Sequence, residues 1–165
     1  MHEHSIKLLN QAVADELAAI HQYMYFHFHC DDQGFDLLAQ LFERTAIEEM
    51  QHVEMLAERI LFLGGDVDME LKESVSREHE VEKMLKMARQ MEEDSATSYN
   101  KWAKECADRA DSASRKLFEN LVDDEERHYD QYDDELDAME RFGDRYLALQ
   151  SIERSKSHSA GSEAE

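Results

Sequence analysis

Glu49–His52 and Glu125–His128 repeat one Glu-x-x-His spacing. Each pair follows another glutamate by the same interval, 49 − 16 = 33 from Glu16 and 125 − 92 = 33 from Glu92. Residues three apart on an α-helix share a face, so each pair presents a carboxylate and an imidazole together. Four carboxylates and two imidazoles are the donor set with which four helices hold a pair of iron or manganese ions. Glu49 and Glu125 are the expected bridges, Glu16 and Glu92 the terminal carboxylates, and His52 and His128 the neutral nitrogen ligands. Carboxylate–imidazole mixtures with open positions suit redox-active metals better than structural zinc.

This chemistry requires all six side chains to point inward. Glu16 shares a helical stripe with Leu9, Val13, Ile20 and Tyr23, while Glu49 and His52 share one with Leu38, Phe42, Thr45, Leu56, Ile60 and Leu63. Glu92 falls among Leu85, Ala88, Ala96, Tyr99, Ala103 and Cys106, and Glu125 and His128 among Phe118, Leu121, Tyr132, Leu136 and Met139. Steps of three and four residues put each set on one core-facing side. Burying four carboxylates without counter-charge would cost far more than the ~5–15 kcal/mol net stability of a domain. A pair of divalent cations removes that penalty. Glu93 lies about 100° around the helix from Glu92, so Glu92 is the expected ligand. Tyr23, seven residues after Glu16, is a further catalytic candidate on the same face. It is expected either to hydrogen-bond a bound carboxylate or to lose an electron in turnover, and a packed core tyrosine is the plain alternative. His21, His27 and His29 fall off the stripe and are expected at solvent or an interface.

Four long helices must position these groups, over about Ser5–Cys30, Phe35–Leu63, Arg77–Arg109 and Ala113–Phe142, with Ser76 as N-cap of the third. Short links pair the first with the second and the third with the fourth as antiparallel hairpins. The middle link, Asp66 to Val75, has no helical periodicity and is long enough to run the length of a bundle and join parallel neighbours. Gly143 ends the fourth helix, and a short fifth follows from Asp144 to Ile152. The expected fold is therefore all-α, a ferritin-like four-helix bundle over residues 1–154, with a long crossover between helices two and three. The small, polar residues 155–165 are expected to be a disordered tail.

Composition agrees with long helices: the 165 residues contain no proline and five glycines, with 42% hydrophobic and 35% charged residues. The formal net charge of −21 repels nucleic acid and anionic lipid and attracts cations. Cys30 and Cys106 form no C-x-x-C unit, which argues against a zinc ribbon, a rubredoxin-type iron site or a disulfide framework. They are expected as buried thiols in a reducing compartment. No apolar run reaches about 18 residues, so no membrane association and a cytoplasmic location are expected.

Four segments carry a family resemblance: Glu16-Leu-Ala-Ala-Ile-His-Gln-Tyr23, Ile47-Glu-Glu-Met-Gln-His52, Glu58-Arg-Ile-Leu-Phe-Leu-Gly64 and Asp124-Glu-Glu-Arg-His128. They resemble the bacterioferritin family, and the likeness extends to Arg145-Tyr-Leu-Ala-Leu-Gln150. The resemblance implies a hollow homo-oligomer of about two dozen subunits that oxidises Fe(II) with O2 or H2O2 and stores Fe(III) mineral. It carries the di-iron ligands over to Glu16, Glu49, His52, Glu92, Glu125 and His128. It also implies a b-type haem at a two-fold subunit interface, ligated by Met50 from each side, and an electron-donor ferredoxin for iron release. Some family members have a histidine for an extra inner iron where Arg44 stands, so that site is not expected. The competing reading is a rubrerythrin-like di-iron peroxidase or oxidase that forms no storage shell. The four-cysteine module usual in rubrerythrins is missing from this sequence.

Overall fold

The computed structural model describes residues 2–162, with side chains through residue 156. Its elements are α1 (Glu3–Asp32), α2 (Asp36–Phe62), α3 (Val81–Asp108), α4 (Ser112–Phe142) and α5 (Asp144–Ser162), with no strand among the described residues. None of these helices is long and apolar enough to cross a membrane. As expected, α1 packs along α2 and α3 along α4 as two antiparallel hairpins.

The hairpins are copies of one plan at a fixed offset of 76: 92 − 16, 99 − 23, 106 − 30, 118 − 42, 125 − 49 and 128 − 52. These pairs match glutamate with glutamate, tyrosine with tyrosine, cysteine with cysteine, phenylalanine with phenylalanine and histidine with histidine. The correspondence reaches the turns. Phe35 N–H donates to Cys30 O at 2.8 Å, and Asp111 N–H donates to Cys106 O at 2.9 Å. Gly34 takes the left-handed conformation the first turn needs (φ 86°), and Ala110 is held in it at the second (φ 60°). For a residue with a Cβ that conformation costs about 1–2 kcal/mol.

Residues 63–80 cross from α2 to α3 and are fastened along α1. Asn10 Nδ2 donates to Asp66 O at 3.0 Å and its Oδ1 accepts from Asp68 N–H at 2.8 Å. Lys72 Nζ lies 2.8 Å from Asp15. Gln22 then repeats the two-way amide contact, donating to Ser76 O at 3.1 Å and accepting from Ser76 N–H at 2.8 Å. The link therefore runs the length of α1, and α2 and α3 come out parallel. The same contacts displace the expected start of α3. Ser76 is not an N-cap, because Gln22 holds both its backbone groups in the extended link, and the helix begins only at Val81.

A second difference lies at the C-terminal end, where α5 continues to Ser162 instead of stopping at Ile152. Residues 155–162 of the expected tail fall within α5, and 163–165 lie outside the described residues. This helix packs across the α1–α2 turn. Gln150 Oε1 accepts from Leu38 N–H at 3.2 Å in the first turn of α2, and Arg154 Nη1 donates to Asp31 O at 2.8 Å.

Inside the bundle, apolar side chains form two clusters instead of one. Tyr23, Phe26, Phe42, Leu85 and Tyr132 centre the first, and Leu9, Val13, Leu56, Ile60, Tyr99, Phe118 and Leu121 the second. Each large side chain so buried contributes about 1.5–3 kcal/mol. Between the clusters lies a layer of buried polar residues, Glu16, Glu49, His52, Glu92, Glu125 and His128, none more than 2% exposed.

Candidate metal centre

All six sequence-predicted donors meet in that layer, one carboxylate from each of the four long helices and one imidazole from each of α2 and α4. They form two overlapping sets whose donor atoms lie within 4.8 Å of one another. One set is Glu16, Glu49, His52 and Glu125, and the other is Glu49, Glu92, Glu125 and His128. Glu49 and Glu125 are common to both sets, so any pair of ions would share them. The neighbouring Glu93 is exposed, as helical geometry requires.

The interatomic distances are those of a ligand shell. His52 Nδ1 lies 3.4 Å from Glu16, 2.7 Å from Glu49 and 3.2 Å from Glu125. His128 Nδ1 lies 3.1 Å from Glu49 and 3.5 Å from Glu92. Divalent ions that hold N and O donors at about 2.0–2.2 Å place adjacent donors about 3 Å apart. Both Nδ1 atoms, both Glu49 oxygens and Glu125 Oε1 are buried without a partner in hydrogen-bonding geometry. Buried polar atoms are nearly always satisfied. Five unsatisfied atoms converging on one layer fit cations between them, and the residues present suit that role.

Electrostatics points the same way. Burial, reinforced by the neighbouring carboxylates, pushes the Glu49 and Glu92 carboxyls up and Glu125 well up. Burial alone would depress the His128 imidazole, but Glu49 and Glu92 outweigh it and raise that group to about 11. His52 is raised likewise by Glu125, Glu16 and Glu49 against the pull of burial. Protons thus take up part of the charge wherever cations do not.

A second ring of side chains fixes the donors. The Tyr23 hydroxyl donates to Glu92 Oε1, so Tyr23 lies beside the centre as expected. Tyr99, unassigned on sequence grounds, does the same for Glu16 Oε1 at 2.6 Å. Its signal was present in the chain, since 99 − 92 = 23 − 16 = 7. The outer nitrogens of the histidines face carboxylates of the opposite helix, His128 Nε2 to Glu48 at 2.9 Å and His52 Nε2 to Asp124 at 3.2 Å. Those two residues directly precede Glu49 and Glu125. Such outer partners set the tautomer that turns Nδ1 toward a metal.

The remaining candidates lie away from the centre. Met50 is 52% exposed on the outer side of α2, near Ile47 in sequence and also exposed. His21 is exposed, His27 Nδ1 contacts Ala39 O at 2.8 Å, and His29 stacks on His79 with centroids 4.1 Å apart. Arg44 is exposed on α2. Cys30 and Cys106 are buried and unpaired, and burial pushes the Cys30 thiol up to about 12.

Four long helices with a lengthwise crossover, converging on two donor sets that share two carboxylates, define a ferritin-like metal-binding bundle. A family model for the ferritin-like domain matches residues 6–151. Bacterioferritin of Desulfovibrio desulfuricans is 34% identical over 143 residues, spanning 87% of this chain and 80% of its own. The Brucella melitensis bacterioferritin is 32% identical, spanning 87% and 90%. The X-ray structure of the D. desulfuricans protein, described with its diiron site in different catalytic states, superposes with TM-score 0.88 at 33% identity, over 90% of this chain and 86% of that one. Mycobacterium tuberculosis bacterioferritin superposes with TM-score 0.86 at 28% identity, over 90% and 94%. This chain belongs to the bacterioferritin family.

Proposed function

We propose that the chain is a ferroxidase and iron store. Glu16, Glu49, His52, Glu92, Glu125 and His128 bind two Fe(II) ions as substrate, and the Fe(III) product passes into a hollow homo-oligomeric shell as mineral. The observation that carries this reading is the sharing of Glu49 and Glu125 by both donor sets. Two ions held by common carboxylates can each give one electron to the same oxidant. O2 with two protons then becomes H2O2, or H2O2 with two protons becomes two waters, and no one-electron radical is released. The shared carboxylates balance the charge that rises from Fe(II) to Fe(III). Tyr23 and Tyr99 hold the terminal carboxylates Glu92 and Glu16 in place. The apolar clusters on either side keep bulk water from the ions.

Storage requires assembly, and the test starts there. The purified protein is expected to run as a particle of about two dozen subunits, in keeping with closed symmetry, and to retain iron after aerobic Fe(II) addition. A dimer that oxidises Fe(II) but leaves the product in bulk solution would instead make it a di-iron peroxidase or oxidase. The unpaired buried thiols fit a reducing compartment such as the cytoplasm.

A b-type haem at a two-fold interface belongs to the same reading, and Met50 with its copy in a facing subunit would hold it. Thioether sulfur suits haem iron, and Met50 is an exposed apolar residue on a helix face that also exposes Ile47 and Leu61. If bound there, the haem would supply an electron carrier for mineral release, with a ferredoxin as the donor. Met50→Leu is expected to abolish the low-spin haem absorption while Fe(II) oxidation continues. An unchanged haem spectrum would exclude Met50 as the ligand.

A further inference from the structure

Arg127 stands at a junction that the repeat does not explain. One nitrogen of its guanidinium, Nη2, donates to Glu48 Oε2 at 2.6 Å and to Asp124 Oδ1 at 2.8 Å. Those carboxylates face the outer nitrogens of His128 and His52 respectively. A single cationic group therefore reaches both histidines through one intermediary each, one on α2 and one on α4. The counterpart of Arg127 in the first hairpin is 127 − 76 = 51, an exposed glutamine. Two acidic side chains on a half-exposed face, at 35% and 38%, would turn away from each other into water without a cation between them. Either movement would free an imidazole to rotate or to switch tautomer, withdrawing Nδ1 from the metal side.

We propose that Arg127 is a positioning residue that yokes the two histidine ligands, setting both metal positions at once through Glu48 and Asp124. The proposal rests on the metal centre described above. An ordinary exposed ion pair would contribute little to folding and nothing specific to metal binding. The yoke makes a different demand: removing Arg127 should loosen both positions together while the fold stays intact.

The test uses Co(II), a redox-inert probe with visible ligand-field absorption, on the assembled full-length protein. Wild-type protein is expected to bind two Co(II) per chain. In Arg127→Gln the apparent dissociation constants of both positions are expected to rise about tenfold, the lower end of what outer-partner losses produce, and release into a chelator to quicken similarly. The thermal midpoint of the metal-free protein should barely move. Arg127→Lys, which restores a single-point donor, should recover most of the affinity. Glu48→Gln cuts the yoke from its other end and should loosen the His128 position without any change at Arg127. In a Glu48→Gln, Asp124→Asn background, adding Arg127→Gln should have no further effect, the non-additivity expected of residues acting in series. An equal effect in that background would mean that Arg127 acts by charge alone and would overturn the yoke. Unchanged affinity and release in Arg127→Gln would overturn it too, leaving the centre standing. Wild-type protein that binds no cobalt pair would overturn the centre and the yoke with it.

Discussion

Replacing Glu49 and Glu125 together by alanine is expected to slow Fe(II) oxidation by at least about a hundredfold, while the shell still assembles. Loss of outer partners alone typically lowers metal affinity or activity about 10–100-fold, and these two residues belong to both donor sets at once. Neither half-site survives their removal with more than one carboxylate and one imidazole. Assembly should persist because both side chains are buried and contribute nothing to the outer surface. The measurement is the initial rate of Fe(III) absorbance after aerobic Fe(II) addition, beside size-exclusion chromatography of the same sample. Oxidation at the wild-type rate would show that the reaction occurs elsewhere on the protein.

The second large effect is a reversal in how pH changes stability. His128 is raised to about 11 in the fold, against about 6.5 for a free imidazole. The stability it contributes is therefore full below about 6.5 and is lost as pH rises through about 11. Glu49, Glu92 and Glu125 are raised as well, by burial first and second by a neighbouring carboxylate, Glu16 beside Glu49 and Glu49 beside the other two. Their neutral forms favour the fold, and that contribution also fades as pH rises. Glu48 is the opposite case. Burial opposes its ionisation, but Arg127 and His128 prevail and lower it to about 2, so its contribution disappears only in strong acid. Metal-free protein should therefore melt at a higher temperature at pH 6 than at pH 9, by on the order of 5 °C at about 2–4 °C per kcal/mol. Metal-loaded protein should show the reverse, because protons displace ions from their ligands. At a hundred times the dissociation constant, each bound ion adds about 2.7 kcal/mol. Calorimetry with and without Co(II) across this range provides the check. A metal-free midpoint that falls between pH 9 and pH 6 would be inconsistent with protons shared among the buried carboxyls.

The donors were legible because they break an otherwise apolar pattern at helical spacing. Glu16, Glu49, Glu92 and Glu125 stand where leucine or alanine would be expected, and burial follows from the stripe alone. Tyr23 could be read the same way, and Tyr99 could have been by extending the repeat one residue type further. Glu48, Asp124 and Arg127 could not. On their own helices they look like solvated charges, and their roles arise only where α2 meets α4. The start of α3 was misread for a related reason. Ser76 has a good capping side chain, but Gln22, 54 residues earlier, binds its backbone first. Local preference lost to a tertiary contact that no short window contains. The length of α5 was missed because polarity alone does not decide between helix and coil, and its docking residues Tyr146, Gln150 and Arg154 become meaningful only against α1, α2 and α4.

The division of the core into two apolar clusters sets the terms on which ions enter. The clusters lie on either side of the polar layer, whose carboxylates must be offset by protons or by ions. Taking up an ion therefore releases protons from that layer. Loading the centre is an exchange of one positive charge for another, made at the waist of the bundle.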